Sequence, residues 1–108
     1  MRMWMVQPET MCTQHLLGEH LELHMFVGSI AKGISMQGYV DAGLLESSSI
    51  AFRHEQLVAE MARRGFSHKS PLPYFDTINQ GQVPRAGARE ELLRRCPTCR
   101  KLAAEFEQ

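Results

Sequence analysis

The chain has no surplus of charge of either sign, with 12 Lys and Arg set against 12 Asp and Glu in 108 residues. A uniformly basic nucleic-acid binder is thereby excluded, because such binding rests on many Lys and Arg neutralising phosphates. Long apolar runs are missing too. No stretch approaches 18 residues, so no membrane-spanning helix is expected. The opening Met1-Arg2-Met3-Trp4-Met5-Val6-Gln7-Pro8 holds no extended apolar region and no small-residue cleavage pattern, so no secretory signal is read there. Three cysteines are too few, and odd in number, for a disulfide framework. A cytoplasmic, reducing location is the expectation. Aromatic residues make up only 7%. The 44% hydrophobic content still suffices for one small packed core, so 1–108 is read as one domain.

What is present is helical pattern. Pro8 keeps Gln7 out of the helical region, which predicts an extended start over 1–9. Thr10 is the expected N-cap of a helix from Met11 to about Ile30. Glycines 33, 38 and 43 predict loop with one turn of helix over 33–48. Ser48 or Ser49 should cap a second helix to about Arg64, whose Ile50, His54, Leu57 and Met61 follow the spacing of one buried face. Gly65 is placed to end it in a left-handed conformation. Residues 67–84, with Pro71, Pro73, Gly81 and Pro84, should lack long regular structure. Ala86–Arg95 is helix-prone, and Pro97 is suited to the first position of a last helix to about Phe106. The fold class expected is all-α.

The first helix carries the chemistry. At 100° per residue, His15, Glu19 and Glu22 fall within about 60° of one another. Leu16 and Leu23 flank that stripe on one side, Leu21 and Met25 on the other. Carboxylates closely flanked by apolar side chains tend towards the neutral form, which suits proton transfer. The plain structural reading makes Glu19 and Glu22 solvated helix residues and His15 a polar group of the first turn. His20 and His24, an i, i+4 pair, could share a metal ion, though they lie about 140–180° round the helix from His15. One site using all three is geometrically poor. Cys96-Pro97-Thr98-Cys99 leaves three readings open: unmetallated thiols, a zinc half-site completed by His68 or by Cys12 with a histidine, or a redox pair. Cys12 alone reads as a small buried apolar residue.

Met1-Arg2, His15-Leu16 with Glu19 and Glu22-Leu23, and Gly28 resemble the opening of the pyrimidine-dimer DNA glycosylase (phage endonuclease V-like) family. A second block, Arg53-His54-Glu55-Gln56-Leu57-Val58-Ala59-Glu60-Met61-Ala62-Arg63-Arg64-Gly65-Phe66, resembles a later helix of that family, in the same order. The resemblance implies a compact helical fold with the N-terminus threaded between helices. It implies a glycosylase with abasic-site (AP) lyase activity, in which an N-terminal α-amine attacks the sugar C1′ of a damaged nucleotide. The Schiff base so formed undergoes β-elimination, and no cofactor or metal is required.

Carried over, the amine falls on Met1 and the assisting glutamate on Glu22. Arg2 is too bulky for ordinary Met removal, so Met1 should remain, and the one-residue register of the resemblance agrees. An α-amine titrates at about 7.7–8.0, against about 10.4 for a lysine, so a useful fraction of such amines is nucleophilic near neutrality. Arg2 and His15 match a basic residue and a histidine of the family and become candidate DNA contacts. Arg63, Arg64 and Lys69 form a basic group that could meet phosphates, as could Arg94, Arg95, Arg100 and Lys101 around the Cys-x-x-Cys. Arginines near a helix C-terminus also compensate its dipole.

The expected partner is damaged double-stranded DNA, bound by a monomer, with no membrane involved. The resemblance departs at Leu21 and Met25, where the phage enzyme has arginines, and in the tail, which lacks its aromatic segment. The lesion is therefore left open between a pyrimidine dimer and an abasic site. A reading from another class is a non-catalytic helical binding module, zinc-stabilised through Cys96 and Cys99.

Overall fold

Five helices form in a computed structural model that describes residues 1–68, 70–73 and 79–107: α1 (Thr13–Ala31), α2 (Gln37–Asp41), α3 (Ile50–Arg63), α4 (Arg85–Arg95) and α5 (Pro97–Phe106). There is no strand among the described residues, and the fold is all-α. Short 3-10 turns at Pro8–Thr10 and Ser47–Ser49 precede α1 and α3. Helix α1 packs on α3, α4 on α5, and α5 on the first 3-10 turn. No described helix is long and apolar enough to cross a membrane.

Local chemistry explains most helix ends. Pro97 opens α5, where its missing N–H would be unpaired in any case. Helix α3 ends in a Schellman arrangement: Gly65 N–H donates to Ala62 O at 3.0 Å and Phe66 N–H to Met61 O at 2.9 Å. Gly65 has the left-handed φ of +84° that this closure requires. The expected cap at Thr10 is a miss. Thr10 lies inside the 3-10 turn and its hydroxyl donates to Gln7 O, so Cys12 is the residue before α1. The turn forms because Pro8 pre-sets its first φ, delaying the helix by two residues.

The core holds Met3, Trp4, Val6 and Met11 of the N-terminal segment with Leu16, Leu23 and Phe26 of α1, Ile50 and Leu57 of α3, and Leu92 of α4. Each buried aliphatic or aromatic side chain contributes about 1.5–3 kcal/mol relative to exposure. The N-terminal segment therefore runs through the interior, as the resemblance implied. Met3 N–H donates to Leu44 O at 2.8 Å, and Met5 takes a left-handed φ of +58°.

One charged side chain lies at the centre of this packing. Arg53 of α3 is 1% exposed. Its Nε and Nη2 donate to both oxygens of buried Glu19, at 2.7 and 2.8 Å. Its Nη1 donates to Val6 O at 2.7 Å. A single guanidinium thus joins α1, α3 and the N-terminal segment. Breaking a buried pair by deleting one partner leaves an uncompensated charge, which costs about 3–5 kcal/mol. Arg53→Met should lose stability on that scale in urea unfolding, and adding Glu19→Gln should restore part of it. Equal or greater loss in the double variant would contradict this reading.

A second clamp holds residues 80–85 against the α2–α3 connection. The buried Glu46 carboxylate accepts from Val83 N–H at 2.9 Å, from Arg85 Nη2 at 2.9 Å, from Arg85 Nη1 and from the Ser49 hydroxyl. Gly81 fits beside it because a Cβ there would sit 2.3 Å from Leu45 O, on a φ of +76°. The Arg85 guanidinium, helped by Ser49 and Val83 and opposed by burial, holds the Glu46 carboxyl down to about 2. A depressed folded pKa contributes stability above the unfolded value and loses it as pH falls through the folded one. The difference in stability between the wild type and Glu46→Gln should accordingly shrink from about pH 4.5 to about pH 2. A difference that stays constant across that window would remove the clamp from the account.

Candidate active site

The N-terminal residues and one face of α1 enclose a cleft of about 410 Å³. Met1, Arg2 and Trp4 form one wall, and Gln14, His15, Gly18, Glu19 and Glu22 form another. Leu44 and Arg95 complete it. The stripe seen in the sequence is this wall: positions 15, 18, 19 and 22 recur at helical spacing and share a face. Gly18 removes a side chain from the middle of the wall.

Within the cleft the two carboxylates differ. Glu19 is neutralised by Arg53 from behind. Glu22 is half-buried, and its Oε2 accepts from the Arg2 backbone N–H at 3.1 Å. The peptide unit joining Met1 to Arg2 is thereby tied to this carboxylate, and Met1 and Glu22 line the same space. The Arg2 guanidinium lies 3.6 Å from the Trp4 ring centroid. Partial burial lowers its pKa from the usual arginine value, and its Nε is buried without a partner. Arg95, paired with Glu91 one turn earlier on α4, brings a second guanidinium to the cleft lining.

Of the residues singled out by sequence, Met1, Arg2, His15 and Glu22 meet in this cleft. Arg63 and Arg64 do not line it. Both bond to the buried Glu60 carboxylate. Arg64 Nη2 also donates to Pro8 O at 3.0 Å and Met11 O at 2.7 Å, which holds the N-terminal segment to α3. Arg63 stays largely exposed. Lys69 lies outside the described residues. Trp4, Gln14 and Leu44 carry no signal in the sequence that points to a site, and Arg95 carries one only within the basic group around Cys96 and Cys99.

The fold gathers two ligand clusters, Cys12–His15–Cys96–Cys99 and His20–His24–His54–His68, so of the partners open to Cys96 and Cys99 it is Cys12 with a histidine that lies beside them, and not His68. Cys12 is buried, as expected, and its sulfur also faces His15 and Cys96. His15 and the pair His20 and His24 fall into separate clusters, as their angular separation on α1 required. His15 lines the cleft while its Nδ1 faces the Cys12 and Cys99 sulfurs at 3.1 and 3.6 Å. Burial pushes the Cys99 thiol up to about 12. Against the burial that would raise it, the Cys99 amide and the neighbouring thiols hold Cys96 below its ordinary value. Burial, then the adjoining His54, His24 and His68, push His20 down to about 4.

Neither a curated protein nor a solved structure matches the chain. A family model described as pyrimidine dimer DNA glycosylase matches residues 1–74, a span that contains the threaded N-terminus, α1, α3 and every wall of the cleft except Arg95. The chain belongs to the pyrimidine dimer DNA glycosylase family.

Proposed function

We propose that this protein is a DNA glycosylase with AP-lyase activity, acting as a monomer on damaged double-stranded DNA, with the Met1 α-amine as nucleophile and Glu22 as its proton-transfer partner. The observation that carries this reading is the 3.1 Å bond from Arg2 N–H to Glu22, made in the lining of a cleft that Met1 also lines. That contact holds the chain terminus against a carboxylate within an enclosure walled by Trp4 and the first helix.

In the proposed reaction the neutral amine attacks C1′, the C1′–N bond to the base breaks, and the departing base takes a proton. The nitrogen lone pair then expels the ring oxygen O4′, which takes a proton, and the sugar opens to the protonated Schiff base. Removal of a proton from C2′ then expels the 3′ phosphate. Glu22 is the carboxyl best placed for these transfers, because Glu19 is bound to Arg53. Arg2 and Arg95 supply phosphate-binding donors from the cleft lining. Lys69 remains a candidate backbone contact by sequence and Arg63 one outside the cleft, whereas Arg64 serves the fold first. A pyrimidine dimer is the lesion that the family suggests. An abasic site needs only the lyase half of the chemistry.

The non-catalytic alternative makes a different forecast for the same assay. Borohydride added to protein and abasic-site duplex should trap a covalent adduct on the peptide beginning with Met1, with the intact mass confirming that Met1 is retained. Glu22→Gln should lower turnover by about 10²–10⁴-fold while DNA affinity changes little. No adduct, or one that persists after the α-amine is selectively blocked, would overturn the assignment.

A further inference from the structure

All five histidines and all three cysteines of this chain fall into the two clusters. In each, the four candidate ligand atoms lie within 4.8 Å of one another. We propose that the protein holds two structural zinc ions, one between Cys12, His15, Cys96 and Cys99, and one between His20, His24, His54 and His68. The inference stands apart from the catalytic reading, since neither ion enters that chemistry.

Different observations carry the two centres. For the first it is spacing and the partners of sulfur. Tetrahedral zinc with Zn–S near 2.3 Å and Zn–N near 2.0–2.1 Å places sulfurs about 3.8 Å apart and sulfur from nitrogen about 3.6 Å. Cys96 Sγ and Cys12 Sγ are 3.9 Å apart, and Cys99 Sγ lies 3.6 Å from His15 Nδ1. The Cys12–His15 separation, 3.1 Å, is shorter than that ideal. All three thiols are free of disulfide bonds. Two backbone amides point at them: Cys12 N–H at Cys99 Sγ, 3.2 Å, and Cys99 N–H at Cys96 Sγ, 3.4 Å. Such N–H···S bonds are the outer-shell support that thiolate ligands receive.

For the second centre it is four unpartnered nitrogens. The Nε2 atoms of His20, His24, His54 and His68 are each buried and make no hydrogen bond. One unsatisfied buried polar atom costs about 1–3 kcal/mol, so four converging on one point are not a device for packing alone. The opposite edges of two rings are held. His54 Nδ1 faces the Glu55 carboxylate at 3.4 Å, and the His24 ring is hydrogen-bonded to the Ser70 backbone. Fixing one ring nitrogen in this way leaves the other as the ligand. Ring centroids 4.8–5.2 Å apart surround the common centre.

Both sets supply four protein ligands, the closed form that marks structural rather than catalytic zinc. The histidine centre would join α1, α3 and the segment after α3. The cysteine centre would fasten α5, outside the span matched by the family, to the start of α1 beside the cleft.

Elemental analysis of the untagged, full-length protein, purified without chelator, should find zinc at both clusters, two ions per chain. Cys96→Ser should lose one ion and retain the other; His24→Gln should do the reverse. In the cobalt-substituted wild-type protein, which depends on no variant folding, thiolate-to-cobalt charge-transfer absorption should accompany visible bands of tetrahedral intensity. Absence of bound metal, or cobalt spectra without tetrahedral bands, would overturn both centres. A single ion lost only on cysteine substitution would overturn the histidine centre. A disulfide among the three cysteines in freshly purified protein would overturn the cysteine centre. Copper or nickel retained against excess zinc would overturn the choice of metal.

Discussion

Arg53 satisfies three elements with one planar group: both oxygens of Glu19 on α1, its own helix α3, and the carbonyl of Val6 in the threaded N-terminal segment. The geometry suits arginine in particular, because a fork of N–H donors can meet a carboxylate side-on and still reach a carbonyl. A lysine would offer one point charge. Because the group is almost completely buried, α1 and α3 are held in one register, and the residues before Val6 are delivered against the α1 face that holds Glu22. Arg64 repeats the logic one end further along, gripping Pro8 and Met11 through their carbonyls. In the proposed mechanism an N-terminal amine must be held still. Chain termini are ordinarily the loosest part of a domain. Here the first eleven residues contribute Met3, Trp4, Val6 and Met11 to the core, so the terminus is anchored within a few residues of its end.

What the sequence made legible follows from periodicity and stop signals. The stripe of His15, Glu19 and Glu22 is a property of helical spacing, and it became a cleft wall. Gly65 and Pro97 marked helix ends because their backbone preferences act locally. The two carboxylates of the stripe could not be told apart, since their difference depends on Arg53, 34 positions away from Glu19. Arg53 itself sits in the sequence as one more charged helix residue. The cap at Thr10 failed for a local reason: Pro8 set up a turn that preceded the helix. Arg64 looked like a phosphate contact because its use, bonding the carbonyls of Pro8 and Met11, is invisible without the fold.

The ligand clusters show the same limit more sharply. Cys96 and Cys99 announce half a site by their spacing, but the partners Cys12 and His15 lie more than 80 residues away in sequence. His54 fitted an apolar helical face so well that its second use was hidden. The proposed metal centres also give the tail a reason to stay in place. Helix α5 packs on the first 3-10 turn, and the thiols it carries meet the start of α1 next to the cleft. The proposed catalytic cleft lies along one face of α1, and the histidine cluster occupies another.

The proposed chemistry depends on the position of the α-amine at the end of an anchored segment. Adding one residue before Met1 moves the free amine by about 3.8 Å, one Cα-to-Cα step, and leaves every core side chain in place. Strand cleavage at an abasic site by that extended chain, compared with the native chain at equal folding stability, is the most direct measurement. The unfolding midpoint should stay unchanged while cleavage falls by about 10²-fold or more, the scale on which a misplacement of an ångström or more acts. Cleavage at the native rate by the extended protein would contradict it.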